Sequence, residues 1–329
     1  MMPKLCVIHG DGIGQEVVPA AVHVLQAVMP DLEIVEAEAG WNCFLKTGTA
    51  VPEATFDAIR HCGAALFGAV QSPSHKVDGY RSAILTMRQA LNLYANVRPV
   101  RSLPAISPRG DIDLIVVREN SEGLYAQRER SDGETAVAER IITRHASTRI
   151  GQKSVELMQL LGRQRLTIVH KANVLPLTDG LFRDCVRQAA QQIETDELLV
   201  DVAALKLLEE PTRFDVIVTT NLFGDILSDA AAHWGGGLGY APSLNWGDDY
   251  AVAEPVHGSA PDIAGQGIAN PIAAILSAAL LVRFVWRRLD VANRMEQAVT
   301  DVLQTRSELL AGEKTSTTQL TQAILAELA

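Results

Sequence analysis

Short, unbroken apolar runs separated by amphipathic stretches recur along most of this chain, and they restrict it to one kind of architecture. Residues 5–8, 64–70, 114–117, 166–169, 198–202 and 216–219 are each continuous rather than alternating. A strand reads that way when neither face meets water. Such strands belong to mainly parallel sheets covered by helices on both faces. Between the first two runs, Val17, Ala21, Val24, Leu25 and Val28 recur at helical spacing, so a strand–helix–strand progression is expected. With 329 residues, 47% hydrophobic and 21% charged, the chain has material for two domains or one large α/β unit.

Two breaker-rich stretches mark where the chain passes between domains: 99–110, with Pro99, Pro104 and Pro108, and 235–242, with Gly235, Gly236, Gly237 and Gly239. They predict a chain that leaves one domain and returns to it. Residues 1–98 and 242–329 then form a large domain and 99–241 a smaller one. Residues 121–144 are polar with no apolar period, which suits a solvated insertion or an arm that pairs with another subunit.

A net charge of −10 argues against a nucleic-acid or anionic-membrane surface. Yet Arg81, Arg88, Arg98, Arg101 and Arg118 lie close together in sequence, which suits a small polyanion; for any one of them a surface salt bridge is the plainer reading. Cys6, Cys43, Cys62 and Cys185 show no Cys-x-x-Cys spacing and read as reduced packing residues of a cytoplasmic protein. The opening Met1-Met2-Pro3-Lys4 leads straight into the first apolar run and does not read as a signal peptide. The longest apolar segment, 273–285, is short for a bilayer and carries Arg283.

One segment carries chemistry of its own. Thr220-Asn221-Leu222-Phe223-Gly224-Asp225-Ile226-Leu227-Ser228-Asp229 follows an apolar run and reads as a helix. Asp225 and Asp229, four apart, project from one helix face and repel each other unless a cation lies between them. Oxygen-only ligands favour Mg²⁺ or Mn²⁺ over zinc. A solvated pair is the commoner meaning of an isolated Asp-x-x-x-Asp; Ile226, Leu227 and the alanines at 230–232 favour the ion. Gly10-Asp11-Gly12-Ile13-Gly14 invites a dinucleotide fingerprint, but the sixth position is Gln15, so the glycine that lets helix and strand pack is missing. Gly312-Glu313-Lys314-Thr315 lacks the Gly-Lys pair and the strand of a phosphate loop. His9, His170 and His257 are too scattered to suggest a metal site.

Six blocks taken together resemble one family. They are Ile8-His9-Gly10-Asp11-Gly12-Ile13-Gly14, Leu93-Tyr94-Ala95-Asn96-Val97-Arg98-Pro99, Arg118-Glu119-Asn120-Ser121-Glu122-Gly123-Leu124-Tyr125, His170-Lys171-Ala172-Asn173-Val174, the aspartate segment, and Glu254-Pro255-Val256-His257-Gly258-Ser259-Ala260-Pro261-Asp262-Ile263. The family is that of the NAD(P)-dependent, metal-requiring β-decarboxylating dehydrogenases, which act on isocitrate, homoisocitrate, 3-isopropylmalate and related 2-hydroxy acids. The resemblance implies an α/β, two-domain fold of the isocitrate/isopropylmalate dehydrogenase type: a large twisted mixed sheet, both termini in one domain, and no standard Rossmann fold. It also implies a homodimer or larger, with the smaller domains forming the interface, residues 121–145 as an interlocking arm, and active sites that draw on both subunits.

The same resemblance assigns roles. Asp225 and Asp229 become metal ligands, and Asp201 the third carboxylate, supplied by the neighbouring subunit; alone, Asp201 would read as a strand-end aspartate. Arg88, Arg98 and Arg118 become substrate arginines, whose guanidinium forks match the carboxylates of a di- or tricarboxylate. Lys171 becomes the base that removes the hydroxyl proton, Tyr125 the residue that protonates the enol, and Asn173 a polar contact near nicotinamide and substrate. Residues 254–270 become the adenosine loop, with Glu254, His257, Gly258, Ser259, Ala260, Asp262 and Asn270 at the cofactor. The Asp262 carboxylate would accept from both ribose hydroxyls of NAD and repel a 2′-phosphate. Members that use NADP carry lysine and tyrosine where Asp262 and Ile263 stand. NAD is therefore expected, with Mg²⁺ or Mn²⁺.

Substrate choice falls to Ser72 and to the helix Tyr80-Arg81-Ser82-Ala83-Ile84-Leu85-Thr86-Met87-Arg88, where Ile84 and Leu85 are placed to line one pocket with Arg88. Isocitrate enzymes share Ser82 but typically have asparagine at Ile84. Isopropylmalate enzymes share the aliphatics but usually have glutamate at Arg81. Homoisocitrate enzymes of the fungal type resemble the stretch best, although some bacterial ones have arginine at Leu85. The expected reaction is NAD-dependent oxidative decarboxylation of homoisocitrate to 2-oxoadipate, on the lysine/2-aminoadipate route. The alternatives are 3-isopropylmalate, isocitrate or a broad specificity. A non-catalytic regulatory subunit is a further reading, against which stand Lys171, Tyr125, Asp201, Asp225 and Asp229.

Overall fold

The computed structural model describes residues 2–73, 75, 77–306 and 315–329, so Gly312, Glu313 and Lys314 lie outside the described residues. The chain divides into two compact units, Met1–Leu93 with Leu103–Gly110 and Gly235–Ala329, and Tyr94–Ser102 with Asp111–Trp234. Ten main strands, five to each unit, carry an α/β architecture of mixed strand direction.

The first unit orders its strands β2-β1-β3-β12-β11: β1 is Lys4–Gly10, β2 Glu33–Ala37, β3 Ala64–Ala69, β11 Pro242–Trp246 and β12 Ala251–Pro255. All pair in parallel except β11 with β12. Its helices are α1 Gly14–Val28, α2 Trp41–Thr47, α3 Glu53–Cys62, α4 Ala83–Ala90, α9 Ile272–Leu280, α10 Leu289–Thr305 and α11 Thr317–Leu328. On β1, Cys6 and Ile8 join a core of Phe56, Phe67, Met87 and Leu93. Leu5 and Val7, one residue out of phase, are buried on the other face. That is why the run is continuous. The apolar segment 273–285 is buried core helix, and no described helix is long and apolar enough to cross a membrane.

The glycine-rich turn after β1 serves packing. The fully buried Asp11 carboxylate accepts the backbone N–H groups of Trp41, Asn42 and Gln71. Gly12, at φ +56°, presses so closely on Ser259 that a Cβ there would lie 2.1 Å from the Ser259 carbonyl oxygen. This close backbone approach accounts for the glycine without any phosphate.

The second unit orders its strands β4-β5-β10-β8-β9: β4 is Ala95–Arg101, β5 Asp113–Glu119, β8 Arg165–His170, β9 Glu194–Leu199 and β10 Val216–Thr219. β4 runs antiparallel to β5 and the other pairs are parallel. Its helices are α5 Arg144–Leu161, α6 Thr178–Ala189, α7 Val200–Glu209 and α8 Asn221–Ala232. Leu114, Val116, Val169, Leu207, Ile217 and Leu227 centre the core. The stretch expected as an arm contains an exposed antiparallel ribbon, β6 Glu129–Ser131 with β7 Ala136–Ala138.

The structure corrects several expectations. Residues 198–202 are not one strand: β9 ends at Leu199 and α7 begins at Val200. Asp201 falls in the first helical turn, where a carboxylate suits the helix dipole, and Ala203 and Leu207, four apart, form the buried side. The units part at 93/94 and 234/235 instead of 98/99 and 241/242. Pro99 does not mark the crossing, because it sits within β4 opposite Ile115. Residues 103–110 return to the first unit, where Ile106 packs against Gly236. β2 carries no continuous apolar run because it is only half buried and includes Glu33 and Glu36.

Candidate active site

Three parallel strands of the second unit end together. Arg118 on β5 registers with Thr219 on β10, Thr219 with Val169 on β8, and Lys171 follows directly after β8. Carboxyl ends of parallel strands are where α/β folds place ligands. After β10 the chain turns into α8. Gly224 lets this helix approach β5: a Cβ there would lie 2.6 Å from the Cβ and Cγ of Arg118. A Gly224→Ala variant is therefore expected to lose about 1–3 kcal/mol of stability in urea unfolding; wild-type stability would contradict this packing.

On α8 the two aspartates do project from one face, and arginines hold them. Arg118, only 1% exposed, donates from Nη1 to Asp225, and from Nε and Nη2 to Asn221 Oδ1 at 3.0 and 2.8 Å. Arg98 donates from Nη1 to Asp229 Oδ1 at 2.7 Å and to Ser228 Oγ at 2.8 Å, and from Nε to Asn96 Oδ1 at 2.8 Å. Its Nη2 lies 3.5 Å from Asp225. These pairings offset the cost of burying two guanidinium groups. The Tyr125 hydroxyl donates to Asp225, and its ring centroid lies 4.9 Å from the Arg118 guanidinium carbon. Burial, then the hydrogen bond to Asp225, pushes the Tyr125 phenol above its ordinary range, so it keeps a proton to donate.

The Lys171 ammonium hydrogen-bonds Asp201 on α7 and holds that carboxyl below the usual range. Asn173 lies exposed in the turn that follows. Among the described residues, no group of three His, Cys, Asp or Glu side chains gathers for a metal. Asp225 and Asp229 supply the oxygen donors that a hard dication takes. They are 33% and 51% exposed, so they remain open to one.

In the first unit, Arg88 on α4 donates from Nε to Asn245 Oδ1 at 2.9 Å and from Nη2 to Glu254 Oε1 at 3.1 Å. Glu254, expected in the adenosine loop, belongs instead to β12 and pairs with this arginine. Ile84, expected to line the substrate pocket, spends much of its surface on the core beside Tyr80. Leu85 is partly buried, Ser82 immediately precedes α4, and Arg81 is exposed with Nη2 3.4 Å from Gln89. Ser72 is exposed, and the Tyr80 hydroxyl donates to the carbonyl of its neighbour Gln71 at 3.3 Å.

Within residues 256–270, the Ser259 carbonyl accepts from Ile13 N–H at 2.9 Å, Ala260 sits at φ +38°, and Gly258 and Asp262 are exposed. Asn270, expected at the adenine, accepts from Ile272 N–H at 3.0 Å, so it fastens the start of α9. His257 fits a cofactor best. Its Nδ1 is 3.0 Å from the Gly258 carbonyl and must donate to it, which leaves Nε2 as a buried acceptor with no hydrogen-bond partner. An adenine amino group is a donor of the kind that completes it.

Burial lowers the pKa of His257 and of His170, whose Nδ1 accepts from Ala172 N–H at 3.1 Å. The unfolded chain then takes up protons first as pH falls below about 6.5. Stability is complete above that value and lost below it. The thermal midpoint should drop from about pH 7 toward pH 5, and a His170→Asn, His257→Asn double variant should drop less; identical slopes would contradict this.

Sequence reading missed Asn96, Asn221 and Asn245, each of which anchors an arginine. Only Asn96 left a signal, two residues before Arg98 on the same face of β4.

Buried arginine forks hold a helical carboxylate pair beside a phenol that keeps its proton, and a lysine–aspartate pair follows β8; groups of these kinds are what acid–base chemistry on a small polyanion requires. Known proteins are similar to this chain in sequence and in fold. A family model described as isocitrate/isopropylmalate dehydrogenase matches residues 4–324. The isocitrate/homoisocitrate dehydrogenase of Thermus thermophilus is 51% identical over 100% of this chain and 99% of its own length. The 3-isopropylmalate dehydrogenase of Methanothermobacter thermautotrophicus is 47% identical over 91% of this chain and 90% of its own. The solved isocitrate dehydrogenase of Methylococcus capsulatus matches with a TM-score of 0.93 at 41% identity, covering 99% of each chain. The chain belongs to the isocitrate/isopropylmalate dehydrogenase family, and its activity is that of an oxidative decarboxylating dehydrogenase acting on a small hydroxy acid.

Proposed function

We propose that the chain oxidises and decarboxylates homoisocitrate to 2-oxoadipate, with NAD and a divalent cation, Mg²⁺ or Mn²⁺. The observation that carries the chemistry is the convergence of Arg98, Arg118 and Tyr125 on the Asp225–Asp229 face. Asp225 and Asp229 would hold the cation, which when bound supplies a Lewis acid for the substrate's 2-oxygen and adjacent carboxylate. Arg98 and Arg118 are poised to exchange an aspartate oxygen for a substrate carboxylate. Arg88 is the third guanidinium in this reading. Lys171 accepts the 2-hydroxyl proton, and Tyr125 returns a proton to the enol after CO₂ leaves. The exposed Asp262 carboxylate supports NAD over NADP.

Self-association is part of this reading. Val202, Leu205 and Leu208 on α7 and Ile226 on α8 are large apolar side chains left exposed, as an interface between two copies requires. Asp201, exposed on α7, would serve the cation of the other copy.

A second reading, isocitrate or 3-isopropylmalate as the preferred acid, is supported by the names of the relatives. The deciding experiment is kcat/KM for homoisocitrate, isocitrate and 3-isopropylmalate, each with NAD and with NADP. Homoisocitrate with NAD should be highest; a preference for 3-isopropylmalate or for NADP would refute the corresponding part.

A further inference from the structure

We propose that Asp179 and Arg140 are positioning residues for Lys171, acting as a buried ion pair that fixes the lysine's backbone and ties it to the start of α8. The proposal rests on the reading of Lys171 as the proton acceptor. Asp179 lies in the first turn of α6 and is fully buried. A carboxylate there could cap its own helix, yet it does something else. Its Oδ2 accepts the backbone N–H of Lys171, eight residues earlier, at 2.6 Å. Its Oδ1 accepts from Arg140 Nη1.

The Lys171 carbonyl is held as well, accepting from the N–H groups of Val174 and Leu175 at 3.0 and 2.9 Å. Both backbone polar groups of the lysine are therefore committed, and its Nζ is aimed by a short, pinned stretch of chain. Arg140 makes the second connection. Its Nη2 donates to Thr220 Oγ1 at 2.9 Å, immediately before α8, and its guanidinium carbon lies 4.8 Å from the centroid of the Phe223 ring. Arg140 itself comes from the polar stretch just ahead of α5. One buried carboxylate thus joins Lys171, the end of that stretch and the entry to the helix that bears Asp225.

A fully buried carboxylate is costly unless paired and hydrogen-bonded. Here its oxygens accept from Arg140, from the Lys171 main-chain N–H and, at 3.4 Å, from the Thr178 hydroxyl, and they cap no main-chain N–H of its own helix. This role predicts non-additivity with Lys171, which a general structural role does not. Asp179→Asn keeps the size and one acceptor oxygen but removes the charge that Arg140 pairs with. Single-turnover NADH formation with homoisocitrate should slow about 10–100-fold, as expected of a misplaced reacting group, with NAD affinity within about twofold, since a pinned Lys171 backbone is no part of NAD binding.

In a Lys171→Ala background, the same Asp179→Asn change should cost less than about twofold more, because a positioning residue has nothing left to position. Arg140→Lys, which keeps a cation but loses the second arm of the fork, is the companion variant should Asp179→Asn fold poorly. It should be slower than wild type and likewise near neutral without Lys171. An equal loss in both backgrounds, or no loss in the presence of Lys171, would overturn the proposal while leaving the lysine's role intact. A Lys171→Ala variant of undiminished rate would overturn the lysine reading, and this proposal with it.

Discussion

Asp225→Ala is expected to lower metal-dependent turnover by on the order of a thousandfold and stability by about 2–4 kcal/mol. Both effects follow from one observation. Arg118, Arg98 and Tyr125 all converge on this carboxylate. Removing it withdraws a ligand from the proposed cation site and takes away the carboxylate that the buried Arg118 Nη1 pairs with. Asp225 is partly solvent-exposed, so the penalty should fall at the lower end of what breaking a fully buried ion pair costs. Asp225→Asn separates the two effects: it keeps an oxygen for the guanidinium, so it should recover part of the stability while turnover stays low. Urea unfolding of metal-free protein beside steady-state kinetics with Mn²⁺ reads both. An Asp225→Ala enzyme with near-normal turnover would refute the assignment of this face.

Lys171→Ala is expected to lower kcat by about 10²–10⁴-fold, the usual worth of a positioned acid–base group, while the substrate KM changes only a few-fold. The grip on the substrate's carboxylates is assigned to the arginines; the lysine's partner is Asp201, and its backbone is pinned by Asp179. Steady-state kinetics with saturating NAD would show the split. A large rise in KM with kcat preserved would make Lys171 a binding residue instead.

Much of the fold and of the site is legible in the amino-acid sequence because the relevant spacings are local. Asp225 and Asp229 are four apart, and a helix puts them on one face whatever else the chain does. The continuous runs at 64–70 and 216–219 suit strands covered on both sides, and both form them. What stays hidden depends on pairing across the chain. Arg88 meets Asn245 and Glu254 across 157 and 166 residues, and no periodicity announces that Glu254 belongs to a strand and an arginine rather than to a loop. Asp179 reads as one more acidic residue near a helix start. Ile84 has the right side chain for a pocket, but its surface is largely taken by the core. The end of β9 is obscured because Leu198, Leu199, Val200 and Val202 are apolar through the junction, and burial alone does not separate a strand end from a first helical turn.

The polar cluster around Asp225 is assigned a metal-dependent oxidation coupled to loss of CO₂. That assignment is tested most directly by mixing the purified protein with homoisocitrate, NAD and Mn²⁺ and following NADH and CO₂ in the same reaction. The two should appear in equal amounts, and a chelator should stop both. NADH without CO₂, or turnover indifferent to the chelator, would contradict it.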